Sequence, residues 1–428
     1  MKFIKYLGVC ACLMFAGQAV CAADDTIYLQ VGRVLADPEN GKVLEDKTIV
    51  VTDGKITSIE DGFVGEGTVI DLKDKFILPG FMDSHVHLYG VAGKSDELDA
   101  FKKTDSDYTF DAMLNGQKTL RAGFTTVADL GGPTEAIYAL RDAIKAGKVQ
   151  GPHIIASGGV GVHGGHGDIN GFIPDVIAAF RSPLVCTGAD KCAQSVRMAI
   201  QNGADVIKIA STGGVMSNTA TGVGQQMTDA ELEAIVTTAH RLGRQVACHA
   251  HGTDGINAAV KAGVDSIEHG SYLDGESIKL MKKNGTYLVP TLLAGATVTL
   301  AAAESDWMPD AVRAKAKTVG PIMVAAASRA REGGVKFAFG TDSGVSEHGD
   351  NGKEFALMVK AGFSPLDTIR SATVWAAKHL GVDAQSGSLV AGKVADLVAV
   401  NGNPLEDVTV LEKMAFVMKS GAVVPMED

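Results

Sequence analysis

Short apolar runs recur along the chain, and helical patterns separate them. Eight runs read as strands: "GFMDSHVHL" (80–88), "TTVADLG" (125–131), "HIIASGG" (153–159), "VIKIAST" (206–212), "QVACHAHG" (245–252), "SIEHG" (266–270), "YLVPTL" (287–292) and "KFAFGTDSG" (336–344). Most are apolar at successive positions, the pattern of a strand covered on both faces, as in a parallel sheet. The segments between them have helix signals. "TDAELEAIVTTAHRLG" opens with Thr228 and Glu231 spaced as a capping box and stops at Gly243. Eight strands with crossover helices predict a (β/α)8 (TIM) barrel, with its functional groups at the C-terminal strand ends. An open doubly wound sheet is the alternative. Outside this region the texture changes. "VGRVLADPENGKVLEDKTIVVTDGKITSIED" (31–61) alternates β-rich runs with Gly, Asp and Asn turns, and the same texture returns in "GSLVAGKVADLVAVNGNPL" and "MAFVMKSGAVV". The expected organisation is a barrel over 79–384 and a small β-sandwich domain assembled from 23–78 and 385–428.

The N-terminus precedes all of this with a different pattern. Lys2 and Lys5 are followed by the apolar "LGVCACLMFAG" and the small-residue "VCA" (20–22). That order reads as a cleaved signal peptide over 1–22 and predicts a periplasmic or secreted protein. The apolar stretch is too short for a membrane span. Cys10, Cys12 and Cys21 leave with the signal, so Cys186, Cys192 and Cys248 remain. In an oxidising compartment Cys186 and Cys192 can pair across a short loop, although nothing requires it; Cys248 reads as a small core residue.

With 428 residues, 46% of them hydrophobic, the chain can bury a large core. A net charge of −11 without any basic run argues against nucleic acid as a partner. A small-molecule substrate fits better.

Unusual polar residues fall at the predicted C-terminal strand ends. His85 and His87 are two apart on the first strand, so both point the same way. Lys208 interrupts the apolar fourth strand, His249 and His251 end the fifth, His269 ends the sixth and Asp342 the eighth. Singly, each has an ordinary explanation: a hydrogen-bonded core histidine, a turn aspartate, a lysine reaching solvent from a strand end. Together they put metal-capable side chains on separate strands facing one mouth, which suits Zn2+ or a similar divalent ion.

These segments resemble the metal-dependent amidohydrolase superfamily over nearly the whole mature length. "PGFMDSHVHL", "AGFTTVADLGG", "VIKIASTGGVMS", "CHAHGTDGINAAVKAGVDSIEHGSYLD" and "FGTDSG" carry the likeness. "GGHGD" and "STGGVMS" favour the subgroup with Xaa-Pro and Xaa-Arg/Lys dipeptidases and ochratoxin-hydrolysing amidases. The resemblance implies two Zn2+ ions. His85, His87 and Asp342 would hold one, His249 and His269 the other, and a CO2-carboxylated Lys208 would bridge them. His251 is then structural or near the substrate. The implied reaction is attack of a metal-held hydroxide on an amide joined to a C-terminal amino acid, with Asp342 as the proton carrier. His166, Tyr272 and, more weakly, His163 match substrate-contact positions, and the loop Val160–Pro183 is placed to cover the site. Relatives form homo-oligomers. The rival readings are a cyclic-amide or lactone hydrolase and a catalytically inactive metal- or ligand-binding barrel.

Overall fold

The computed structural model describes residues 26–93, 99, 101–217, 222–304 and 308–426, so the signal-like segment 1–22 lies outside the described residues. Eight parallel strands form the expected barrel: β5 (Phe81–Val86), β6 (Phe124–Asp129), β7 (His153–Gly159), β8 (Val206–Ala210), β9 (Val246–Ala250), β10 (Ser266–His269), β11 (Tyr287–Val289) and β12 (Lys336–Phe337). Each pairs with its sequence neighbours. The ring closes where the chain beyond β12 meets β5. Ser84 N donates to Phe339 O at 2.8 Å, Asp342 N to His85 O at 2.7 Å, and His87 N to Ser343 O at 2.7 Å. Those bonds fix two strand ends side by side, and with them His85, His87 and Asp342.

Every residue of β5, β6, β9 and β10 is buried, as strands covered by helices must be. The helix Asp229–Arg241 carries the predicted box: Thr228 accepts from Glu231 N, and the Glu231 carboxylate accepts from Thr228 N at 2.9 Å. Phe81, Phe124, Phe339 and Phe355 pack with ring centroids 4.6–6.4 Å apart under the β5–β12 junction. Burial of each stabilises by about 2–3 kcal/mol, which anchors the strands that carry the site.

The two chain ends build one seven-stranded sheet, in the order β15-β14-β13-β4-β1-β2-β3. Its strands are β1 (Thr26–Val34), β2 (Leu44–Thr52), β3 (Lys55–Asp61), β4 (Thr68–Pro79), β13 (Leu397–Val400), β14 (Phe416–Lys419) and β15 (Ala422–Val423). The β2–β3 turn is Asp53-Gly54 with φ of 51° and 74°, the left-handed pair that tight hairpins favour. Alternation assigns the faces. Phe76, Leu78, Val398 and Val400 join the barrel core, whereas Ile77, Leu397 and Ala399 join Leu29, Val31, Ile49 and Ile56 in a second core. The sheet bends on itself to enclose that core. Ile56 N donates to Lys393 O at 2.9 Å and Gly392 N to Ile56 O at 2.8 Å, so the far edge meets the segment before β13. This is the sandwich-like layer expected from the two ends of the chain.

Cys186 and Cys192 are joined by a disulfide, and Cys248 is a buried free thiol whose pKa burial pushes up to about 11. Among the described residues no helix is long and apolar enough to cross a membrane.

Candidate active site at the barrel mouth

A cavity of about 1520 Å³ opens at the C-terminal strand ends. His85, His87, Lys208, His249, His251, His269 and Asp342 all line it, and so does His166 from the loop after β7. Potential ligand atoms of His249, His251 and His269 lie within 4.8 Å of one another, as do those of His85, His269 and Asp342. His251 is therefore inside the cluster; its ring stacks on that of His269 at 4.9 Å.

Hydrogen bonds orient four of the imidazoles, among them His251, whose Nδ1 lies 2.8 Å from Ser271 Oγ. His87 Nδ1 lies 3.0 Å from the Gly131 carbonyl, which can only accept, so Nδ1 carries a proton; burial acts to lower the pKa of this ring, but the Asp342 carboxylate beside Nε2 outweighs it and raises it. His85 Nδ1 lies 2.8 Å from the Glu268 carboxylate, whose other oxygen accepts from Ser266 Oγ at 2.6 Å. The Thr291 hydroxyl donates to Pro290 O and so accepts from His269 Nδ1 at 2.7 Å. The Nδ1 atoms are thus tied back, and the Nε2 atoms face the cavity, the arrangement that metal-binding histidines need.

Asp342 follows β12 with φ of 59°. Its Oδ1 is buried and makes no hydrogen bond, although it lies 3.2 Å from His87 Nε2 and 3.4 Å from His85 Nε2. Burial acts to raise its pKa, but the facing His85, His87 and Lys208 outweigh it and hold the carboxyl at about 2. Lys208 Nζ sits 3.4 Å from His85 Nε2, half-buried in the cavity wall. Burial pulls its pKa down against the opposing pull of Glu268 and Asp342. The lysine does not reach solvent past a strand end; it faces the other cluster residues. A buried carboxylate oxygen facing imidazole nitrogens is a donor set that fits divalent cations.

His166 packs its ring 4.3 Å from that of His249. A Cβ on Gly214 would fall 2.5 Å from its Cε1, so a glycine there is what lets the ring seat. The loop that carries it is pinned by Asp168, whose two oxygens accept from Arg181 Nε and Nη2 at 2.9 Å each. His163 and Tyr272 do not line the cavity. His163 Nδ1 lies 2.7 Å from Thr187 Oγ1, beside the disulfide, and half-buried Tyr272 packs against the barrel core.

Burial depresses His166 to about 4 and His251 to about 3, and lowers His85, His249 and His269 well below their ordinary value. The unfolded chain takes up these protons near pH 6.5, the folded chain only below about 4, so stability falls as pH drops through that window. Asp83 and Asp129, pushed up to about 6 mainly by burial, and His87, raised against burial by Asp342, bind protons earlier in the fold and offset part of the loss. The metal-free protein is expected to unfold at lower urea concentration at pH 4.5 than at pH 7.5; an equal or higher midpoint at pH 4.5 would contradict the neutral histidine cluster.

The orienting partners were not singled out from the sequence. Glu268 is an acid inside the apolar "SIEHG", a visible anomaly. Asp83 of "DSHVHL" accepts from His85 N and Thr341 N at 3.1 Å each and from Thr341 Oγ1 at 2.6 Å, locking β5 to the β12 end. Thr291 and Ser271 carry no sequence signal at all.

A barrel with this polar cluster at its mouth is a hydrolase scaffold, and the chain belongs to the Amidohydrolase family, matched over residues 76–424. It is 30% identical over 424 residues to an ochratoxinase of Aspergillus niger, covering 92% of this chain and 85% of that protein. The crystal structure of a Xaa-Pro dipeptidase with bound methionine in its active site superposes with a TM-score of 0.89 at 40% identity, covering 93% of this chain and 99% of the other. A prolidase complexed with N-methylphosphonate-L-proline gives 0.85 at 31% identity, over 94% and 100%. The protein is a hydrolase.

Proposed function

We propose that this protein hydrolyses the amide bond to a C-terminal amino acid, in a dipeptide, an N-acyl amino acid or an ochratoxin-like aryl amide. The observation that carries this reading is the buried, unbonded Asp342 Oδ1 set against the Nε2 faces of His85 and His87. His85, His87 and Asp342 would hold one divalent ion, His249 and His269 a second, and a carboxylated Lys208 would lie between them. Attack of the neutral Lys208 amine on CO2 releases one proton and leaves an anionic carbamate with two oxygens. Bound divalent ions would lower the pKa of water and polarise the amide carbonyl. Asp342 would accept a proton from the water whose oxygen adds to the carbonyl carbon, and would deliver that proton to the nitrogen as the C–N bond breaks.

Relatives with a bound methionine or an L-proline derivative support an amino acid on the leaving side. Phe101 and Phe172 line the cavity, and Phe101 packs edge-on against Phe172 and Phe180 at 5.9 and 4.8 Å. That wall favours an apolar or aromatic acyl group. The disulfide supports the periplasmic or secreted location that residues 1–22 imply.

The test is a library of dipeptides and N-acyl amino acids, with cyclic amides and lactones included, incubated with the zinc-loaded protein. Release of a free amino acid, abolished by a chelator and restored by zinc, is the expected result. Inert metal-loaded protein would point to a binding barrel, and turnover of cyclic amides or lactones alone to the other hydrolase class. Glu268→Gln weakens the acceptor that orients His85 and is expected to lower divalent-ion affinity about 10–100-fold in competition with a chelating dye. Unchanged affinity would mean that Glu268 does not orient the ligand.

A further inference from the structure

A second cavity, of about 980 Å³, enters the barrel from the opposite end. It touches His153, Val206, Val246 and Ser266, the first residues of β7, β8, β9 and β10, so it lies beneath the layer that carries the histidine cluster. In a packed barrel the inward positions are filled by bulky branched side chains. Here Ser84, Ala128, Ala247 and Ser266 line the space and leave it open. Ala128, Leu130, Val206 and Ala247 form a small apolar cluster there, with Ile155 and Leu380 packed against it. Within the lining, Ser84 Oγ and His379 Nδ1 are buried without a hydrogen-bond partner among the described residues.

The charges at the rim do not cancel. Asp142 and Asp205 are both paired with Arg141, at 2.9 and 2.8 Å. Asp265 is paired with His240 at 2.8 Å and also accepts from Val246 N at 2.8 Å. Exposed Lys145 and Lys148 and half-buried Lys419 line the same cavity and form no ion pair among the described residues, although the Asp396 carboxylate is near enough to Lys419 to favour its charge. Arg141, Lys145, Lys148 and Lys419 face Asp142, Asp205 and Asp265 around the cavity, one positive charge in excess on a chain with a net charge of −11, so the cavity favours an anion. Its size is that of a pocket for a small organic molecule, and its inner wall is apolar.

We infer that this rear cavity binds an amphipathic monocarboxylate, an aryl- or alkyl-alkanoate, with the hydrocarbon against Ala128, Val206, Ala247 and Leu380 and the carboxylate at Lys419. The site is independent of the reaction at the mouth. 4-Bromophenylbutyrate is a suitable probe, because anomalous scattering locates its bromine in soaked crystals. Calorimetry on the wild type, Lys419→Met and Leu380→Trp then reads the affinity; any binding at the mouth is common to all three, so the difference reports the rear cavity. Lys419→Met removes the ammonium, and Leu380→Trp fills the apolar end. The expected result is a bromine peak in the rear cavity, with affinity there falling at least about tenfold in each variant and for the neutral amide of the same acid. Bromine only at the mouth or on the surface would overturn the assignment. So would wild-type affinity in Lys419→Met, or displacement of the probe by equimolar inorganic phosphate, which would show a simple anion site.

Discussion

Asp342→Asn is expected to lower turnover about 1000-fold while leaving the fold and the bound divalent ions in place. The substitution keeps the shape of the side chain, and asparagine tolerates the left-handed backbone at this position, where φ is 59°. What it removes is the negative charge and the proton-accepting capacity of an oxygen that is buried and unbonded. A positioned acid–base group contributes typically about 10²–10⁴-fold, so a loss in that range is what the proposed proton transfer demands. Metal content by plasma mass spectrometry and kcat on the best substrate from the library are the two readouts. Full activity in this variant would exclude Asp342 as the proton carrier. Loss of metal together with activity would reduce it to a ligand.

The second large effect is expected at Lys208. Lys208→Met substitutes an apolar chain of similar length for a half-buried ammonium whose pKa burial already lowers. The metal-free protein should therefore fold as well as the wild type, because an unfavourably buried charge has been removed. The metal-loaded variant should retain at most one ion per chain. Its activity should fall by about 1000-fold or more, since the polarisation that a second ion supplies amounts to several kcal/mol and each 1.36 kcal/mol is tenfold in rate. The wild type should show the extra mass of one CO2 on the peptide containing Lys208. An unmodified lysine with a single metal in the active holo-protein would remove the bridge from the mechanism.

Much of this architecture was legible in the residue pattern, for identifiable reasons. The barrel strands are short, apolar and separated by helices, and one such helix starts where Thr228 and Glu231 place it. The cluster was legible because histidine, lysine and aspartate are conspicuous in buried strands, and because positions two apart in a strand share a side. The groups that orient the cluster were not. Glu268 meets His85 across 183 residues of sequence, and Thr291 meets His269 only because its backbone turns sharply after β11. Which way a hydroxyl donates is decided by its third neighbour, as Pro290 O decides it for Thr291. His163 and Tyr272 lie in the right segments with their side chains turned elsewhere, and the sequence pattern does not report orientation within a loop. The open floor of the barrel is hidden for a similar reason. In strands buried on both faces the small residues Ala128 and Ala247 give no sign of which side looks inward.

His269, Thr291 and Asp342 all have left-handed backbone, with φ of 72°, 47° and 59°. None is glycine, and Thr291 is β-branched, the type least suited to that region. Such conformations cost about 1–3 kcal/mol each. The polypeptide thus spends a sizeable part of its marginal stability at the three strand ends where side chains must face inward. Glycine at these positions would relax the backbone but delete the imidazole, hydroxyl and carboxylate that build the cluster, so a relaxed backbone and an intact cluster exclude each other at these strand ends.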